Sequence, residues 1–174
     1  LKSYNIKYCI VGHSECKTIF KETNIDINNK IKSLLKQKIK PIICVGENKR
    51  KLKETSSNFR IKNEIFGQLN EYLKGIPIEE AHNLMIAYEP VWAISQNTPT
   101  YLPNPQDTKN IIHNIRFWLS TRFNGMIAQN IPILYGGSVN HKNMAQYLEI
   151  SNGILVGSAS VQKTEITKLI KNLI

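Results

Sequence analysis

The segment "NLMIAYEPVW" carries an apolar run, Leu84 to Tyr88, that ends in a carboxylate, Glu89, followed at once by Pro90, Val91 and Trp92. Taking an ionised carboxylate out of water is costly unless it is paired or its pKa rises. The position therefore points either to a structural role, such as capping a loop or pairing with a lysine, or to a chemical one. Comparable signals recur along the chain. "CIVGHSE" places His13 just past an apolar run, "ILYGGSV" places Gly136, Gly137 and Ser138 past another, and "ILVGSAS" places Gly157 and Ser158 past a third. Taken singly, a histidine at a strand end is more often an ordinary hydrogen-bonded residue, and a glycine-serine pair a simple turn. Together they put polar, reactive or glycine-rich residues beyond the ends of several apolar runs.

Those runs must be held in place by regular elements. "IKYCIVG", "KPIICVG", "NLMIAYEP", "IPILYGG" and "NGILVGS" are short and nearly continuously apolar, which predicts parallel strands covered on both faces. Helical patterns lie between them. Ile27, Ile31, Leu34 and Leu35 fall at helical spacing, as do Ile111, Ile112, Ile115, Trp118 and Leu119 behind the start signal of Asn104, Pro105 and Asp107. At the end of the chain, Thr164 is expected to cap a helix with Ile166, Leu169, Ile170 and Leu173 on its inner face. The result is a repeating βα unit, about five times over.

Two architectures accept such a repeat: a doubly wound open sheet and a (β/α)8 barrel. No strand is followed by G-x-G-x-x-G, so the dinucleotide fingerprint is absent. Functional residues gathered at the C-terminal ends of many strands favour the barrel. A barrel typically takes roughly 250 residues, whereas this chain has 174 and opens with "LKSYNIK", read as the end of a helix. Residues 1–174 are therefore expected to form the C-terminal part of a single barrel domain whose N-terminal strands are absent.

Composition narrows the function classes. The chain is 41% hydrophobic and 21% charged, typical of a soluble globular domain, with no apolar run of membrane-spanning length and no signal-peptide layout; a cytoplasmic location is expected. Its three cysteines, Cys9, Cys16 and Cys44, are odd in number and show no CxxC spacing, favouring free thiols over a disulfide framework or a zinc site. The net charge of +10 raises the question of nucleic acid. The lysines are scattered over helical segments without a recognition signature, so a solvated surface is the expected explanation, with a field that favours anionic ligands.

Read in order, "CIVGHSE", "PIICVGE", "AYEPVWAI", "ILYGGSV" and "GILVGSASV" resemble the fourth to eighth strand-end loops of the triosephosphate isomerase family, and "YEPVWAI" is the most specific of them. The resemblance implies a (β/α)8 barrel, a homodimer, no cofactor and no metal. It also implies the interconversion of dihydroxyacetone phosphate and glyceraldehyde 3-phosphate through an enediolate, a reaction of glycolysis and gluconeogenesis. Glu89 would be the general base and His13 the neutral electrophile, the two roles described for this class of enzyme. Ser14 would hold the base when the site is empty, and Glu15 would pair with an active-site lysine. Gly136, Gly137 and Ser138 would form one side of a phosphate cradle, Gly157 and Ser158 the other, and Ser95 would join them from the lid. Backbone N–H groups in such turns hold a phosphate without any basic side chain.

The chain departs from the family pattern in three places. Cys16 and Lys17 follow "HSE" where the family usually has arginine, and Ser158 stands where a second glycine is common. Ser95, Gln96 and Asn97 replace a glycine-rich lid tip ahead of a proline-rich "TPTYLPNP", which is expected to alter closure. The family's asparagine and lysine belong to the first strand, so this segment alone is expected to be inactive. Three other readings stay open on the residues: a different phosphate-binding barrel enzyme, a remnant that binds phosphate metabolites without catalysis, and a basic nucleic-acid binder.

Overall fold

A computed structural model describes residues 2–47, 57–94 and 102–173. Five parallel strands form one sheet: β1 (Tyr8–Val11), β2 (Lys40–Val45), β3 (Met85–Tyr88), β4 (Ile133–Tyr135) and β5 (Gly153–Ile154). All five expected strands are present, and their spatial order is their sequence order. A doubly wound sheet reverses direction at a switch point; this sheet has none, so it is a partial α/β barrel. The register is continuous across the centre, with Cys44 beside Ala87 and Val45 beside Tyr88.

The crossovers are helical. Among them, α1 (Ser14–Ile19) and α2 (Asn24–Lys36) follow β1, and α3 (Ser57–Tyr72) follows β2. After β3 come α4 (Pro105–Phe123) and α5 (Gly125–Asn130), then α6 (Met144–Leu148) after β4 and α7 (Lys163–Lys171) after β5. Thr23 begins α2 with a complete capping box, exchanging hydrogen bonds with Asp26. Asn104 caps α4 through the Gln106 N–H, and Pro105 takes the first turn, as the sequence predicts.

Strand alternation divides the sheet into two faces. Ile43, Val45, Ile86, Tyr88, Ile133 and Tyr135 point into the main core, where Ile27, Ile31, Leu69, Ile115 and Leu119 of the helices meet them. On the other face Cys44, Ala87 and Leu134 form a small cluster with Ile42, Met85 and Leu155 only partly covered. The expectation of strands buried on both faces thus holds fully for the helix side alone.

The last helix corrects a second expectation. Gln162, not Thr164, occupies the cap position of α7, and it makes no side-chain cap hydrogen bond. Leu169 is buried, but Ile170 and Leu173 are 50% and 58% exposed, because α7 packs chiefly on the short 3-10 turn Ser158–Val161. At the first strand Tyr8 and Ile10 of β1 are likewise open to solvent. "LKSYNIK" begins with a short 3-10 turn, Lys2–Tyr4, rather than the end of an α-helix. No helix among the described residues is long and apolar enough to cross a membrane.

Candidate active site

Glu89 follows directly on β3, the middle strand, and is 2% exposed. Its backbone is fixed by a hydrogen bond from its own N–H to Val45 O at 2.8 Å. The flanking strand ends come very close to it. A Cβ on Gly46, after β2, would overlap the carbonyl oxygen of Glu89, and one on Gly136, after β4, would sit 2.8 Å from Glu89 Cγ. Glycine is required at these two positions because no side chain fits between strand end and carboxylate.

His13 stands at the start of α1, beyond β1. The Glu15 N–H donates to its Nδ1 at 3.3 Å, which obliges Nδ1 to be an unprotonated acceptor and leaves the ring proton on Nε2. Nε2 faces Glu89 Oε1 at 3.3 Å. The two residues singled out in the sequence are therefore in contact across the strand ends.

Three further groups reach the Glu89 carboxylate or its surroundings. Hydrogen bonding by Cys44 and by the Ser14 backbone favours its ionised form, as does the charge of Lys17. Burial dominates nonetheless: loss of water holds the Glu89 carboxyl above its ordinary value, with His13, Cys44, Lys17 and Ser14 pulling the other way. Cys44 is fully buried, and burial, reinforced by the neighbouring carboxylate, pushes its thiol well up. It is a hydrogen-bond donor and not a nucleophile. Burial lowers Lys17, partly offset by Cys44, Glu89 and Glu22.

Ser14 is buried at the start of α1, and its backbone acts on the carboxylate only as the weakest of these influences. Glu15 lies 3.8 Å from His13 Nδ1 through Oε2, beside the imidazole; its expected pairing with a lysine is not displayed. The sequence reading misses Cys44 and Glu47, and it finds in Lys17 only a departure from arginine. Glu47 is 1% exposed just after β2 and accepts hydrogen bonds from Tyr88 Oη at 3.1 Å and Trp92 Nε1 at 2.7 Å, so it anchors the residues on either side of Glu89. Burial raises its carboxyl, opposed first by Trp92. A signal for it exists, since "CVGE" places a carboxylate past a strand end just as "AYE" does.

The turns past β4 and β5 face a common cavity, which their serines line and their glycines do not. Gly136, Gly137 and Ser138 leave β4, while Gly157 and Ser158 follow β5 and lead into a 3-10 turn, Ser158–Val161. A cavity of about 250 Å³ is lined by Ser138 and Asn140 on one side and Ser158 and Ala159 on the other. The Ser138 N–H donates to Ala93 O at 3.1 Å, so in this arrangement that amide is engaged with the strand-end turn Val91–Ala93 rather than turned to the cavity. Ser158 is exposed and crowds nothing here. Ser95, Gln96 and Asn97 lie outside the described residues.

A parallel sheet in sequence order, with an acid–imidazole pair and glycine turns at the C-terminal strand ends, defines a site of the α/β-barrel class. The triosephosphate isomerase family model matches residues 1–173, and the chain belongs to that family. A triosephosphate isomerase from Mycoplasmoides gallisepticum is 39% identical over 173 residues. One from Finegoldia magna is 40% identical over the same length, and one from Mycoplasma capricolum 37% identical over 172 residues. Each alignment takes in 98% of this chain and 66% of the relative. The chain thus spans just under two-thirds of the length of these relatives.

Proposed function

We propose that the protein to which this chain belongs interconverts dihydroxyacetone phosphate and D-glyceraldehyde 3-phosphate. The observation that carries the reading is the contact between Glu89 Oε1 and His13 Nε2. A substrate entering between them would present the carbon next to its carbonyl to the carboxylate and its two oxygens to the Nε2–H. Glu89 takes a proton from that carbon, the electron pair moves onto the carbonyl oxygen, and an enediolate forms. The His13 Nε2–H gives its proton to the charged oxygen and the imidazole takes up the hydroxyl proton of the other oxygen, while Glu89 returns its proton to the former carbonyl carbon, so the carbonyl now stands on the neighbouring carbon. The burial that raises the carboxyl makes the carboxylate a stronger proton acceptor.

The phosphate would sit between the Ser138 and Ser158 turns, Ser138 exchanging its bond to Ala93 for one to the ligand, with Ser95 as a further contact. Membership of this family also supports a homodimer, a cytoplasmic location and no requirement for a cofactor, metal, membrane or nucleic acid. The 174-residue segment by itself is proposed to be inactive.

The test is isomerisation by the natural-length protein in D2O. Deuterium should appear on the carbon that exchanges its proton, and inorganic phosphate should compete with substrate. Turnover without solvent exchange, or no turnover of either triose phosphate, would remove the reading.

The thiol makes a pH prediction. Ionised Glu89 is the base, so activity is lost as pH falls through its pKa. Cys44→Ala deletes a donor that stabilises the ionised form, so the acid limb of kcat/KM should move to higher pH, with the plateau above it kept within about threefold. A limb that stays put or moves down would show that the thiol does not tune the base.

A further inference from the structure

The cavity between the two glycine turns has an unexpected neighbour, Glu165 of α7, whose carboxylate helps line it. A carboxylate beside a phosphate dianion opposes binding unless it is compensated. Compensation comes from two neighbours, a hydrogen-bonding imidazole and an ammonium: His141 Nδ1 lies 2.7 Å from Glu165 Oε2, and Lys168 Nζ lies 3.8 Å from Oε1. The hydrogen bond from His141, ahead of its charge and that of Lys168, holds the Glu165 carboxyl below its ordinary range. Being ionised, it can only accept, so His141 Nδ1 is the donor.

His141 belongs to the turn that carries Ser138. Asn143 Nδ2 donates to Ser138 O at 3.0 Å, the Asn140 N–H to Asn143 Oδ1 at 2.8 Å, and the Lys142 N–H to Asn140 Oδ1 at 2.9 Å. The turn is therefore braced internally. Its second tie to α7 is the hydrogen bond from Asn172 Nδ2 to His141 O at 3.0 Å. Since Leu169 is the only residue of α7 that is fully buried, these polar ties do much to fix that helix, and with it the Ser158 turn.

We propose that His141 and Glu165 are a positioning pair for the anion cradle. The bridge sets the separation of the Ser138 and Ser158 halves, and His141 keeps the Glu165 carboxylate from repelling the bound phosphate. The inference rests on the phosphate reading given above and identifies residues that tune it without touching the reacting atoms.

The two partners should not behave alike. His141→Ala leaves the Glu165 carboxylate beside the cavity without its hydrogen-bond donor and with only the more distant Lys168 opposing it, so KM for triose phosphate and the inhibition constant of inorganic phosphate should both rise about tenfold, with kcat within about twofold. Glu165→Ala loses the bridge but also the repulsive charge, so both constants should rise only about threefold, and the double variant should match it rather than sum the two. His141→Gln, whose amide can still donate to Glu165, should return both constants to within about twofold of the starting protein. All variants are compared at natural length, with Tm measured alongside.

Equal and additive effects, a fall in kcat or Tm with KM unmoved, or no change at all would overturn the proposal. If His141→Ala fails to fold, the order of His141→Gln and Glu165→Ala decides: Gln at or above Ala in either constant is the overturning result. Should the unsubstituted protein ignore inorganic phosphate, the cradle reading falls and takes this inference with it. Phosphate inhibition that is present but insensitive to His141→Ala removes the inference alone.

Discussion

Glu89→Gln is expected to lower kcat by about 10³- to 10⁴-fold, the upper part of the range for loss of a general base. Glutamine keeps the shape and one accepting oxygen, but it cannot take a proton. KM should change far less, because the group contributes mainly in the transition state. Stability should move the other way. The Glu89 carboxyl is raised by burial, so its ionisation costs folding free energy once pH exceeds the unfolded-state pKa, and the cost reaches its full size above the folded-state pKa. The glutamine variant escapes that cost. Its Tm should exceed that of the unsubstituted protein near neutral pH, and the gain should shrink as pH falls below the ordinary carboxylate range. Steady-state kinetics and a pH series of thermal melts check both arms. A variant that retains near-normal kcat is incompatible with Glu89 as the base, and a lower Tm at neutral pH is incompatible with a burial-dominated carboxylate.

Gly46→Ala is expected to destabilise the fold by about 3 kcal/mol or more, at the severe end for overpacking. The added Cβ would meet backbone, the carbonyl of Glu89, and not a movable side chain. Relief would require β2 and β3 to separate where the Glu89 N–H bonds Val45 O, which also displaces the base. Gly67 supplies the control. It lies exposed in α3, and an added methyl would meet nothing within 4 Å, so Gly67→Ala should stabilise by about 0.5–1 kcal/mol through helix propensity. Urea midpoints for the two variants should therefore move in opposite directions. A Gly46→Ala protein with an unchanged midpoint would mean that the strand ends are not so closely apposed.

Much of this is legible in the residues. The five apolar runs identify five strands, and Asn104 with Pro105 marks the start of α4, because local propensity and burial agree there. The pairing of Glu89 with His13 is legible only through their shared position past strand ends, since nothing local joins them. Cys44 is hidden by its own strand. In a run such as "PIICVG" every residue is apolar, and the sequence does not announce which side chain will turn toward a carboxylate on the next strand. Lys17 stands out as a departure from arginine, yet its role follows from the tertiary placement of β2 and β3 near α1. The end of the chain misleads for a related reason. Ile170 and Leu173 keep a helical spacing that suggests an inner face, but a face is buried only where another element covers it.

Among the described residues, the sequential order of the strands supports the middle of the sheet more fully than its first and last strands. Every strand leans on its sequence neighbours, so β3 is held from both sides while β1 and β5 are each held from one. Local opening costs least where support is one-sided. The base stands on the middle strand, but His13 follows one terminal strand and Ser158 the other. A ligand touching all three would act as a staple from edge to edge, and part of its binding free energy would be spent holding the ends in line.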